Sequence, residues 1–216
     1  MISIPILYEN EEILIINKPS GLSVQGGNDV FHSLDKDFSQ FLGYKIFLVH
    51  RLDKDTSGIM IVAKSSFYAN KWTKLIASKK VQREYLAICC GELKNKKGNI
   101  QEEIFQHGEK KSAITKYKVE KVWLLSTENL QIPMSLIRLN LETGRMHQIR
   151  IHLAKQNCPI LGDEQHGNFK INKILKKEFK IKKMLLCSQK IIFPIDGKMK
   201  TLEIELPQTF IDIMQS

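Results

Sequence analysis

The feature that most constrains the fold is a succession of short apolar strand-like runs joined by tight polar turns, without a regular strand–helix–strand rhythm. Residues 4–17 read as a β-hairpin: ILYEN, a polar turn, then ILIINK. KPSGLSVQGGN follows, dense in Gly, Pro and Ser, and reads as a loop. Residues 31–43 read as a helix with Phe31, Leu34, Phe38 and Leu42 on one face. IFLV (46–49) and IMIVAKS (59–65) are strands on either side of HRLDKDTSG (50–58), and 66–79 reads as a helix. REYLAICCGEL (83–93) is strand-like, KNKKGN (94–99) a turn, and 112–125 and 132–142 alternate as strands. TGRMHQIRIHLAKQN begins as a loop and becomes a helix that stops before Cys158 and Pro159. CSQKIIFPI and MKTLEIEL close the chain as an antiparallel pair about Asp196–Gly197. The reading is α+β, a mixed, mostly antiparallel central sheet flanked by helices and loops.

No linker, repeat or low-complexity segment divides the 216 residues, which suffice for one sizeable core or for one core split between two lobes. No run of about eighteen apolar residues predicts a membrane span, and MISIPILYENEE lacks a secretory n-region, so a cytoplasmic protein is expected. Cys89, Cys90, Cys158 and Cys187 show no C-x-x-C spacing and read as reduced thiols rather than metal ligands or disulfides. Thirty-three Lys and Arg against 23 Asp and Glu give a net charge of +10, which suits a polyanionic partner. The segment KINKILKKEFKIKK (170–183) holds seven lysines and one glutamate. Its Ile171, Ile174, Leu175 and Phe179 recur at helical spacing, predicting a helix with a basic outer face. The bland alternative is a lysine-rich surface with no specific partner.

Two clusters carry candidate chemistry. In HRLDKDTSG, Asp53, Asp55 and Thr56 match the D-x-D-x-T letters of a metal-dependent phosphatase. That site needs the first aspartate at the end of a strand in a doubly wound parallel sheet, whereas here His50 and Arg51 intervene. A solvated turn is the plain alternative, since Asp, Thr, Ser and Gly are turn formers. A retaining glycosidase would need two carboxylates about 5 Å apart, and a basic surface suits neutral sugars poorly. In TGRMHQIRIH (143–152), His147 and His152 are five apart, poorly placed for one metal on one helix face, so no metal site is expected. The sharper reading sets Arg150 opposite a loop carboxylate, where an arginine keeps an aspartate ionised in a water-poor cleft.

Read together, these residues resemble the RluA-type pseudouridine synthases, in order and over nearly the whole chain. HRLDKDTSG with IMIVAKS is similar to the family's central motif, and NKPSGLSVQGG to its early NKP-x-G loop. REYLAICCGEL resembles its K/R-x-Y-x-A strand, TGRMHQIRIHLA its GR-x-HQIR-x-H motif, and PILGDEQHG its GD-x-x-YG turn. The resemblance implies the pseudouridine synthase fold, with a catalytic cleft across the sheet and 1–216 as a single catalytic domain without a separate N-terminal RNA-binding domain. It implies an isomerase that converts uridine in structured ribosomal or transfer RNA to pseudouridine, with no cofactor; no metal or membrane partner is expected, and a monomer is the default. Asp53 would be the catalytic aspartate, Tyr85 the ring lining the uracil pocket, and Arg150 the partner of Asp53. Arg51, His50, Arg145, His147 and Gln148 would bind substrate, and Lys173, Lys176, Lys177 and Lys180 the RNA backbone. A catalytically inactive RNA-binding module of the same fold is the alternative, marked by loss of Asp53, Tyr85 or Arg150, and all three are present. The chain departs from the pattern at Arg83, Met146, His166 and Cys187, the last two at positions expected to affect substrate preference.

Overall fold

The structure, a computed structural model, describes residues 4–27, 31–106 and 108–216, so the last residue of the expected early loop, Asn28, lies outside the described residues. The chain divides into two compact units, Met1–Arg83 with Cys187–Ile204, and Glu84–Leu186 with Glu205–Ser216. No composition shift marks any of the three crossings.

In the first unit the expected hairpin forms from β1 (Ile6–Glu9) and β2 (Ile13–Lys18), paired antiparallel. Helix α1 (Leu34–Leu42) starts three residues later than its periodicity suggests and ends at Gly43, whose φ of 75° is the left-handed conformation glycine adopts freely. After β3 (Phe47–Leu48) the chain runs through residues 50–56 into β4 (Ser57–Ala63), then α2 (Ser66–Ala77), whose cap Ser65 accepts from the Tyr68 amide. The unit is completed by β9 (Leu186–Ile195) and β10 (Lys198–Glu203). Pairings are antiparallel (β1–β2, β2–β4, β3–β4, β9–β10) apart from the parallel contact of β4 with β9 at Ser57–Cys187 and Gly58–Ser188.

Both faces of β2 and β4 are covered, which explains why ILII and IMIV are continuous apolar runs instead of alternating ones. On one face Ile13, Ile15, Ile59, Ile61 and Ala63 pack with Ile191, Phe193 and Trp72 of α2. The indole of Trp72 buries its body there and donates its N–H to Glu12 Oε2 at 2.8 Å. Each buried side chain of this size contributes roughly 1.5–3 kcal/mol. The strand that leaves the HRLDKDTSG loop is therefore among the most firmly anchored of its unit.

The second unit holds an antiparallel sheet in the order β5 (Gln82–Cys90), β8 (Gln131–Leu141), β7 (Glu109–Ser126), β6 (Lys97–Gln106). Helices α3 (Gln148–Lys155), α4 (Phe169–Glu178) and α5 (Gln208–Gln215) accompany it. Both β6 and α5 go beyond the sequence reading, and α4 falls short of it. The helix expected to reach Lys183 stops at Glu178, because Lys180 turns left-handed at φ 56° and lets the Ile181 amide fold back to the Leu175 carbonyl. Lys180 is thus not on the helix face assigned to it. The observed fold is α+β with a mostly antiparallel arrangement of strands. That arrangement removes the doubly wound parallel sheet the phosphatase reading requires. Among the described residues, no helix is long and apolar enough to cross a membrane.

Candidate active site

In the first unit the chemistry gathers on the loop between β3 and β4. Lys18, at the end of β2, is wholly buried, and its ammonium donates to the carbonyls of Pro19 (2.9 Å), Leu22 (2.9 Å) and Lys54 (3.0 Å). The Gly21 amide donates to the same Lys54 carbonyl at 2.9 Å, and the Ser20 hydroxyl to the Asp55 carbonyl at 2.8 Å. The NKPSG loop and the HRLDKDTSG loop are thereby clasped through one buried cation. Charge-assisted bonds of this kind are about twice as strong as neutral ones. The backbone carrying Asp53 is further closed by the Thr56 amide on the Asp53 carbonyl at 3.1 Å. The Asp53 side chain itself is half-buried and that of Arg51 exposed.

His50 is tied to the strand that follows the loop. Its Nε2 accepts the Ile61 amide at 3.1 Å, so the ring is neutral and carries its proton on Nδ1. Burial holds its pKa well below the ordinary imidazole value, and the charge of Arg83 pushes in the same direction. The guanidinium contact at 3.4 Å from Nδ1 is then a neighbouring charge, not a hydrogen bond. At the other end of the loop, Gly58 sits at φ 107°, and a Cβ there would lie 2.3 Å from the Ser188 carbonyl oxygen. Only glycine permits this approach of β4 to β9. Cys187 is buried, and burial pushes its thiol up to about 11, which makes it a packing residue and not a nucleophile.

In the second unit the TGRMHQIR segment is organised by Gln148, whose side chain is buried. Its Oε1 accepts from the Thr143 hydroxyl (2.8 Å) and the Arg145 amide (3.0 Å), and its Nε2 donates to the Ile114 carbonyl and Thr115 Oγ1, both at 3.0 Å. These four bonds fasten the turn to β7, so Gln148 acts by positioning its neighbours. Arg145 reaches back to the Ser112 carbonyl at 3.2 Å. His147 caps α3 with a left-handed backbone at φ 53°. Its Nδ1 lies 3.1 Å from Nε2 of His166, the ring standing where the sequence departs from the family's tyrosine.

The strongest interaction here is one the sequence did not announce. Arg150 donates from Nε to Asp163 Oδ2 and from Nη2 to Asp163 Oδ1, both at 2.8 Å, with the two side chains only 10% and 1% exposed. Asp163 Oδ1 also accepts the amides of Gln165 and His166 at 2.9 Å. Burial alone would raise this carboxyl's pKa. The Arg150 bonds, with the His166 and Gln165 amides, outweigh burial and hold it below the ordinary carboxylate value. The signal was the GD of PILGDEQHG, present in the sequence without a role. Tyr85 lies buried on β5, opposite Leu139 of β8. Lys173, Lys176 and Lys177 are exposed along α4, and Lys180 is exposed just beyond it.

Known proteins similar to this chain indicate its family and fold. The family described as RNA pseudouridylate synthase matches residues 12–155. Ribosomal large subunit pseudouridine synthase C of Buchnera aphidicola subsp. Schizaphis graminum is 35% identical over 209 residues, 89% of this chain and 64% of its own length. The protein of the same name from Rickettsia bellii is 33% identical, covering 95% of this chain and 69% of its own length. The chain therefore spans about two thirds of these curated relatives. Human RNA Pseudouridylate Synthase Domain Containing 4 shares the fold, with a TM-score of 0.75 at 23% identity over 97% of this chain and 91% of that one.

Proposed function

The chain belongs to the RNA pseudouridylate synthase family, and from that membership we propose that it isomerises uridine in structured RNA to pseudouridine, with Asp53 as the catalytic carboxylate. The observation that carries the reading is that the family match over residues 12–155 includes Asp53, Tyr85 and Arg150, each in the motif that bears it. The clasp on the Asp53 loop supports it: a reacting carboxylate must be held still, and Lys18 fastens its loop at the backbone. The target base leaves its stack, at a cost of a few kcal/mol, and enters a shaped pocket. The bond from ribose to ring nitrogen 1 breaks with Asp53 attacking or stabilising charge, the uracil turns, and the ribose is rejoined through carbon 5. The carbon-5 proton is then lost and nitrogen 1 gains one, so the product is an isomer. Tyr85 is assigned as the ring facing the uracil and Arg150 as the arginine of the reaction, oriented by Asp163. Arg51, Arg145 and His147 serve substrate binding, while His50 and Gln148 fix the backbones that carry them.

The substrate class is large-subunit ribosomal RNA, as the names of the relatives suggest, with transfer RNA as the second candidate. We take the enzyme to act in the cytoplasm, as a monomer and with neither metal nor cofactor. The test is incubation with unmodified transcripts of both RNA classes, followed by carbodiimide labelling and primer extension. New stops at discrete uridines of the ribosomal transcript are expected. Stops in neither RNA would overturn the reading.

A further inference from the structure

Beside α4 lies a depression of about 330 Å³, wholly within the second unit. Its wall includes Phe169, 61% exposed, whereas Ile171 and Leu175 of the same two turns are buried and Ile174 is half-buried. Asn168 caps the helix by accepting the Ile171 amide at 3.2 Å, which fixes where the phenyl ring starts. Lys173, Lys176 and Lys182 stand around the same space, and Glu164 is the one carboxylate lining it. The floor is rigid: Asn172 accepts the Gly162 amide at 3.0 Å and donates to the Asp163 carbonyl at 2.9 Å, so the turn that holds Arg150 also shapes the depression.

We infer that this depression is a subsite for one unstacked nucleotide of the RNA, with the base on Phe169 and the phosphate among Lys173, Lys176 and Lys182. The inference rests on the RNA reading above. A solvent-facing aromatic ringed by lysines is the arrangement that binds single-stranded nucleic acid, because every base offers a face to stack and every nucleotide a phosphate. A duplex offers no free base face to Phe169. The volume is at the lower end for ligand pockets, which run about 300–1,000 Å³, and suits one nucleotide. Glu164 decides against a track of several phosphates, since a carboxylate among them would repel; beside one nucleotide it can accept from a ribose hydroxyl or a base N–H.

The test uses the full chain and a short oligouridylate carrying 4-thiouridine. Photocrosslinking is expected to mark the peptide containing Phe169. Phe169→Ala should weaken binding roughly 5- to 100-fold, with Phe169→Trp restoring it and both variants melting as the wild type does. Lys173→Gln, Lys176→Gln and Lys182→Gln together should flatten the logarithmic salt dependence by about 0.7, one single-strand phosphate. Absence of a crosslink to the Phe169 peptide, unchanged binding by Phe169→Ala, or no binding at low salt would each overturn the subsite. Uridine isomerisation is read separately. Crosslinking at Phe169 without isomerisation removes the enzymatic reading and leaves the subsite standing, whereas isomerisation with Phe169→Ala unchanged in binding and KM does the reverse.

Discussion

Substituting Asp163 asks the structure its most quantitative question. Its carboxylate is 1% exposed and takes a two-pronged bond from Arg150, both contacts at 2.8 Å, plus two backbone amides. Breaking a buried pair by deleting one partner costs about 3–5 kcal/mol, because the remaining charge stays desolvated. Asp163→Ala should therefore lose about 4 kcal/mol. Asp163→Asn, which keeps an oxygen for the amides but loses the charge, should lose about half of that. At about 2–4 °C per kcal/mol for a chain of this size, the alanine variant should melt roughly 8–16 °C lower. The pH dependence has a definite sign. The folded pKa lies below the unfolded one, so the contribution is complete above about pH 4 and fades as pH falls below that. Urea unfolding at pH 7 and at low pH measures both quantities. Replacing the charges together, Arg150→Met with Asp163→Asn, keeps an acceptor for the two amides and should recover part of the stability but not turnover, which separates packing from chemistry. An Asp163→Ala variant within about 1 kcal/mol of wild type, with unchanged kcat, would refute the claim that this pair holds the arginine in place.

Three further outcomes follow from the geometry. Lys18→Met should destabilise the first unit by about 2–4 kcal/mol by stranding the carbonyls of Pro19 and Leu22, and should lower kcat more than RNA affinity. Gly58→Ala should cost about 3 kcal/mol or more, read by urea unfolding, since its Cβ would meet the Ser188 carbonyl at 2.3 Å. His50 is held neutral, its folded pKa well below the unfolded value, so stability is full above about pH 6.5 and declines below it as the unfolded state takes up a proton. The slope should approach about 1.4 kcal/mol per pH unit and be absent in His50→Gln, whose amide oxygen can accept the Ile61 N–H.

Much of this was legible because the sequence states it locally. The hairpin, the strands around HRLDKDTSG and the turn at Asp196–Gly197 are encoded by neighbours in the chain. Strand β6 was not, because Ile100 and Ile104, its buried apolar side chains, are four apart among Gln, Glu and Asn, which hides the two-residue period. Helix α5 begins at a proline without a side-chain cap and has only eight residues. The overreach of α4 has the opposite cause: Phe179 and Ile181 continue the apolar content while the backbone turns at Lys180. At the site, the motifs nominate candidate residues but do not show what holds them. Arg150 finds Asp163 thirteen residues away and Lys18 finds the Lys54 carbonyl thirty-six away, and such pairings are set by tertiary packing rather than by local pattern.

The most direct test of the central claim is tritium release from RNA labelled at carbon 5 of uridine, with EDTA present, comparing wild type with Asp53→Asn. The account predicts release by wild type and none above background by Asp53→Asn, with RNA binding within a few-fold. Release by both proteins would contradict the assignment of Asp53, and release by neither, with RNA still bound, would contradict the isomerase itself.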